Sequence, residues 1–289
     1  MSELTVHRHG FSAMASPCEV QAECEDPALG AELGRIAEAE ARRIEQKYSR
    51  YTDTSVVARI NASNGVPVEV DEETASLLDY AANCHALSGG QFDITSGVLR
   101  RVWTFDGSDR VPSASRVAEI LPLVGWDKAI WSRPFITLPP GMQIDMGGLG
   151  KEYAVDRAAQ AIMQHAHVPA LINFGGDLRV TAPRSGERKW RIAIESVDAG
   201  KASGGVLSLS AGGIATSGDA RRFLLKNGKR YSHILDPRTG FPVEDPPRSI
   251  TVAARSCMEA GTLATLAMLK GTDAEAFLEK ENVQSWVLW

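Results

Sequence analysis

The stretch Ile144-Asp145-Met146-Gly147-Gly148-Leu149-Gly150-Lys151 constrains this chain more than any other. A short apolar strand runs into closely spaced glycines and then into a helix reaching about His165. Leu149, Tyr153, Ala158 and Ile162 recur there at roughly helical spacing, so one face packs inward. Glycines at a strand-to-helix junction let backbone come close to a ligand, and free N–H groups at a helix start suit phosphate. Lys151 stands in the first helical turn, where the helix dipole disfavours a positive charge. Two readings stay open: a bound anion compensates that charge, or a tight turn carries a surface lysine. A P-loop is excluded, because Glu152 follows Gly150-Lys151 and Asp145 stands where the first glycine belongs.

Around this junction the chain reads as alternating groups of strands and helices. Residues 4 to 24 suggest a hairpin around Ala15-Ser16-Pro17. Ala28 to Tyr51 carries an apolar stripe and predicts a long helix. A short helical piece over Val56 to Asn61, a strand over Val66 to Val70 and an Asp71-capped helix to Leu87 follow. Gly89 to Gly97 reads as a glycine-flanked polar loop, Ser113 opens a helix to Leu123, and three short strands are expected between Lys128 and Ile144. Later strands are expected at Ala170 to Phe174, Leu178 to Thr181, Trp190 to Glu195, Val206 to Leu209, Gly213 to Thr216 and Ile250 to Ala254. Phe223 to Leu235 is a hairpin through Asn227-Gly228. Ser256 begins a helix to Leu269, and a last helix and strand close the chain. Strands in antiparallel-looking groups with helices between them predict an α+β fold. Residues 1–289 are read as a single domain, without repeat or linker.

Gly-Gly pairs recur at 89, 147, 175, 204 and 212, and three of them have an aspartate nearby: Asp93, Asp145 and Asp177. That pattern suits a ligand wrapped by backbone, and glycine-rich hairpin turns would give a similar one. A net charge of −5 gives no general pull towards nucleic acid or acidic membranes. The basic pairs Arg42-Arg43, Arg100-Arg101 and Arg221-Arg222 read as solvated faces. Cys18, Cys24, Cys84 and Cys257 form no Cys-x-x-Cys pair, so a disulfide framework is not expected. No run approaches the roughly 18 apolar residues of a membrane span, and no signal-peptide core is visible, so a cytoplasmic protein is expected unless an export signal was trimmed from the sequence.

Seven motifs, in order, carry a resemblance. They are Met14-Ala15-Ser16-Pro17-Cys18, Ser49-Arg50-Tyr51, Gln91-Phe92-Asp93-Ile94-Thr95, Asp145-Met146-Gly147-Gly148 with Lys151 and Tyr153 to Arg157, Asn173 to Asp177, Ala215-Thr216-Ser217-Gly218, and Ser232-His233-Ile234-Leu235-Asp236-Pro237-Arg238-Thr239-Gly240. In this order and spacing the chain resembles the ApbE flavin transferases, the FAD:protein FMN transferases, over nearly its whole length. The resemblance implies a T-fold-like ApbE architecture, FAD as substrate, Mg2+, and an acceptor flavoprotein subunit whose Thr or Ser hydroxyl receives FMN as AMP leaves. It implies that Met14, Tyr51, Asp93, Asn173, Asp177, Thr216 and Ser217 line the FAD cleft. Gly147, Gly148 and Lys151 would approach the diphosphate, and His233 would be the catalytic base. In isolation, His233 reads first as a strand histidine hydrogen-bonded to the following turn, and it is the surrounding motif that turns the reading to a base.

One part of the pattern departs. The resemblance implies a metal bound by an aspartate, by a threonine four residues later, and by a backbone carbonyl. Thr265 is present and Gly150 supplies the carbonyl, but the aspartate position is Gly261, and Glu152 replaces the usual glycine after the lysine. Glu259 lies about 200° round the helix from 261 and does not substitute. The expected consequence is a weak metal site that Gly261→Asp would tighten, with Asp145 the first alternative ligand. An FAD pyrophosphatase giving FMN and AMP, or a catalytically impaired FAD-binding protein, are the competing readings.

Overall fold

The computed structural model describes residues 4–194, 205–219 and 222–289. The chain opens with strands β1 (Thr5–Ala13) and β2 (Ser16–Cys24), paired antiparallel with His9 opposite Val20. The expected hairpin is there, with Met14 and Ala15 at its tip in positive φ. Helix α1 (Pro27–Tyr48) is capped by Asp26, which accepts from the Ala28 N–H at 2.8 Å. Its buried face carries Leu33, Ala37, Ala41 and Ile44. Gly30 lets the helix lie close on β1, since a Cβ there would stand 2.5 Å from the His7 Cβ.

Helix α2 (Val56–Asn61), the short strand β3 (Val68–Glu69) and α3 (Glu72–Leu87) come next. Asp71 caps α3 as expected, accepting from Thr74 N–H at 2.9 Å. The expected polar loop over 89–97 is instead largely buried, and from Ile94 it winds into a 3-10 helix ending at Arg101. After α4 (Ala114–Ile120), β4 (Ile130–Ser132) and β5 (Phe135–Thr137) stand where three strands were expected. They complete a small sheet in the order β3-β5-β4, and residues beyond 137 pass through a turn at 140–141 without pairing into a third strand.

Helix α5 (Gly150–His165) leads to β6 (Ala170–Phe174) and β7 (Asp177–Val180). Then follow β8 (Trp190–Ile194), β9 (Gly205–Leu209), β10 (Gly212–Gly218), β11 (Phe223–Lys226), β12 (Lys229–Ser232) and β13 (Ser249–Ala254). Helices α6 (Cys257–Leu269) and α7 (Ala274–Lys280) and strand β14 (Gln284–Leu288) finish the chain. Of the expected features, Glu195, Gly204 and Arg221 lie outside the described residues.

Seven strands form the main sheet in the order β1-β2-β6-β7-β10-β13-β14, with every neighbouring pair antiparallel. Alternation along β6 assigns its two faces. Ala170, Ile172 and Phe174 join the main core with α1, α5 and α6, while Leu171 packs with Trp190 and Ile192 of β8 and Leu207 of β9. A third cluster gathers Val98, Leu99, Trp103, Val117 and Leu224. The architecture is α+β. All four cysteines are buried free thiols. Among the described residues, no helix is long and apolar enough to cross a membrane.

Candidate functional site

The junction before α5 is held by charge as well as by glycine. Asn61 brackets Ile144, donating to its carbonyl at 3.0 Å and accepting from its N–H at 2.7 Å. Asp145 then accepts from the Gly147 N–H at 2.9 Å and pairs with Arg50 at 3.0 Å. Arg50 also donates to the Gly97 carbonyl at 3.0 Å, and Arg100 reaches Asp145 at 3.5 Å. The aspartate is thus the fixed point of the glycine turn. Leu149 is buried, and α5 starts after it with no side-chain cap.

Lys151 finds its counter-charge within the chain. Its Nζ lies 2.6 Å from Asp177 Oδ2, so neither a surface lysine nor an ion awaiting an anion describes it. Asp177 is buried at the start of β7, and its Oδ1 accepts from the Thr216 N–H at 3.3 Å. Thr216 in turn shares a 2.8 Å hydroxyl contact with Thr251. Burial works against the charged amine, yet Asp177 holds the Lys151 pKa above its ordinary value. The turn joining β6 to β7 uses Gly175 and Gly176 at positive φ, and Asn173 Oδ1 accepts from Gly176 N–H at 2.9 Å. Ser217 is half-buried beside the exposed Thr216.

Helix α6 is pinned to α5. Asp156 accepts from Cys257 N–H at 3.0 Å and Met258 N–H at 2.9 Å, taking two orphan donors of the α6 N-terminus. One turn before Asp156 stands Glu152. A Cβ built on Gly261 would lie 2.6 Å from Glu152 Cγ and 2.9 Å from its Oε1. Glu152 Oε2 is shielded from solvent and has no hydrogen-bond partner. Burial, reinforced by Asp177, pushes this carboxyl up to about 7. Gly150 begins α5, and Thr265 is half-buried one turn beyond Gly261.

The remaining expected residues are placed differently. Met14 sits at the tip of the first hairpin, its N–H donating to Glu45 at 2.8 Å. Tyr51 is 79% exposed; the Arg50 guanidinium lies 5.9 Å from its ring, and Arg100 donates to its hydroxyl at 3.1 Å. Asp93 is buried, and it caps the 3-10 helix through Thr95 N–H at 2.7 Å and Thr95 hydroxyl at 2.6 Å. It also accepts from Trp126 N–H at 2.9 Å and lies 3.5 Å from His85. A cleft of about 570 Å³ passes beside it, lined by His85, Gly90, Pro237 and Arg238, and includes none of Lys151, Asp177 or His233. His233 Nδ1 lies 3.2 Å from the Arg222 carbonyl, with the Phe105 ring edge-on at 6.3 Å. Burial, then Arg222 and Arg100, push its pKa down to about 4. Arg100 therefore connects the surroundings of His233, Tyr51 and Asp145. Arg50 and Arg100 were absent from the expected site residues; Arg50 sits in a quoted motif, but its pairing across the chain with Asp145 has no local signal.

An α+β protein with a half-buried lysine paired to a buried aspartate at two glycine turns, and oxygen donors at the α5 start, is the class that the fold and site define. A family model described as the ApbE family matches residues 14–287, and the chain belongs to that family. A relative from Haemophilus influenzae, FAD:protein FMN transferase, is 30% identical over 264 residues, covering 87% of this chain and 76% of the relative. The protein of the same name from Salmonella typhimurium is 30% identical over 254 residues, covering 83% and 72%. The crystal structure of the ApbE protein from Thermotoga maritima superimposes with a TM-score of 0.88 at 29% identity, covering 98% of this chain and 94% of that one. The apo flavinyl transferase ApbE of Pseudomonas stutzeri gives 0.84 at 27%, covering 98% and 91%.

Proposed function

We propose that this protein transfers FMN from FAD to a Thr or Ser hydroxyl of an acceptor protein, releasing AMP. The observation that carries the reading is the family match along residues 14–287 together with the likeness, over 87% of this chain, to a relative that bears this activity in its name. In this reading Met14 and Tyr51 line the flavin end. Asn173, Asp177, Thr216 and Ser217 line the cleft, Gly147 and Gly148 bring backbone to the diphosphate, and Asp93 braces the wall behind.

The acceptor oxygen attacks the flavin-side phosphorus. A new phosphoester bond forms, the bond to the AMP phosphate breaks, and the hydroxyl proton must leave. A carbonyl can only accept, so the Arg222 contact places the ring hydrogen of His233 on Nδ1 and leaves the Nε2 lone pair free to take that proton. With its pKa held near 4 the ring is neutral before substrate arrives, and the diphosphate's negative charge raises its basicity. Lys151, already charged, supports charge building on the leaving group.

The donors where α5 begins and α6 passes include an unpartnered buried carboxylate oxygen, which suits a hard divalent cation. Magnesium there would be held in part by the Gly150 carbonyl and the Thr265 hydroxyl, and would neutralise diphosphate charge. The test is incubation with FAD, Mg2+ and an acceptor protein, read by AMP release and by flavin fluorescence on a denaturing gel. Fluorescent acceptor plus AMP is expected. AMP with free FMN and an unlabelled acceptor would make the protein an FAD pyrophosphatase, and tight FAD binding with no AMP would make it a binding protein.

A further inference from the structure

The resemblance implies a metal-binding carboxylate at position 261, and this chain has glycine there. The space is not vacant. Glu152, reaching across from the first turn of α5, puts its Cγ 2.6 Å and its Oε1 2.9 Å from where a Cβ at 261 would stand. The residue keeps some surface overall, but its Oε2 is out of contact with solvent and without a hydrogen-bond partner. A buried carboxylate oxygen with nothing to accept from is unfavourable unless a ligand completes it.

The neighbouring carboxylates are already committed. Asp177 pairs with Lys151 at 2.6 Å, and Asp145 with Arg50 at 3.0 Å. Asp156 holds the N–H groups of Cys257 and Met258, and Glu259 turns back to Arg255 at 3.1 Å. Asp145, the first alternative from sequence, is thereby set aside. Among the described residues no group of three or more His, Cys, Asp and Glu side chains gathers as a cage. Magnesium does not require such a cage, since one or two carboxylates can act with substrate phosphates and other oxygens.

We infer that Glu152 supplies the carboxylate ligand for a divalent cation, delivered from α5 in exchange for the one the family pattern takes from position 261. Glu152 and Gly261 act as a compensated pair: the longer side chain on one helix fills the space that glycine leaves on the other. The choice of magnesium rests on the transferase reading; the geometry of the pair does not.

The test uses the full chain without FAD or acceptor and titrates Mn2+ as the probe, counted by the loss of its free-ion EPR signal. Melting temperature is followed in EDTA and in excess Mn2+. The parent should bind Mn2+ and melt higher with it. Glu152→Gln should stay folded in EDTA yet lose affinity on the order of tenfold or more, and lose the metal-induced rise in melting temperature. Gly261→Asp alone should melt lower, because its side chain meets Glu152. Glu152→Gly combined with Gly261→Asp should recover the affinity lost in Glu152→Gln. No Mn2+ binding by the parent, or parental affinity in Glu152→Gln, would overturn the inference. So would tighter binding in the single Gly261→Asp variant, or a folded double variant without recovered affinity. Because FAD and acceptor are absent, failure here leaves FMN transfer standing, and failure of transfer leaves the metal result standing.

Discussion

A neutral imidazole with a set tautomer is what the fold offers at His233. His233→Ala should leave FAD affinity nearly unchanged while transfer falls on the order of 10²- to 10⁴-fold, measured as single-turnover labelling of the acceptor. The depressed pKa has a second consequence. Between about 6.5 and about 4 the unfolded chain binds the proton and the folded one does not, so acidification through that window costs stability. Urea midpoints at pH 7 and pH 5 should separate more in the parent than in His233→Ala; equal separation would place the ring in water. At this scale the sequence marked out residues more readily than it revealed their contacts. Lys151 was legible as an oddly placed charge, yet its partner Asp177 is brought in by a later strand. Asp93 was expected in the flavin cleft, and its carboxylate is taken up by Thr95 and Trp126, a local cap closed by a distant backbone amide. Glu152 was legible only as a departure from the usual glycine after the lysine, because the glycine facing it belongs to another helix.

Among elements, the pairing of α5 with α6 decides the site. Asp156 joins them by accepting from two amides at the start of α6, and it lies one turn from Glu152. Asp156→Ala should cost about 1–2 kcal/mol, as losing a cap does, and should also weaken metal binding although the residue is no ligand. Denaturation in EDTA and Mn2+ titration on the same variant separate the two effects; lost stability with parental Mn2+ affinity would show the helices hold their spacing without it. Elements with local signals were readable in advance. α3 begins at its Asp71 cap and α6 at Ser256, because capping is a matter of adjacent residues. The stretch from Ile94 to Arg101 was not, since its 3-10 turns depend on burial against Val117 and Leu224 rather than on periodicity. Within residues 138–144, by contrast, Pro139-Pro140-Gly141 is a local turn signal against a third strand, and the structure closes it with the Met142 N–H donating to the Pro139 carbonyl at 3.1 Å.

For the molecule as a whole, the α+β class followed from strand grouping, but the sheet order did not. β2 lies beside β6 because Cys18 faces Phe174, a pairing that alternation within either strand cannot reveal. The chain is proposed to be one domain, two of its apolar clusters lying on the faces of the main sheet and the third meeting the main core at Leu123. Unfolding in urea followed by tryptophan fluorescence and by far-ultraviolet dichroism should then give coincident transitions; two separated midpoints would divide it. FAD should bind more tightly than FMN, because the proposed cleft holds the adenine end as well as the flavin. Calorimetry showing equal affinities would confine the site to the flavin side.

The close approach of Glu152 to Gly261 also bears on how such a protein can change over generations. From this chain, adding an aspartate at 261 first crowds the helices, while removing Glu152 first empties the space and withdraws its carboxylate. On the proposed metal role of Glu152 each single step is worse than either endpoint, which would bind the two positions to one another in inheritance. A position-by-position comparison scores two separate lapses from the family pattern, where the molecule has made one reciprocal trade.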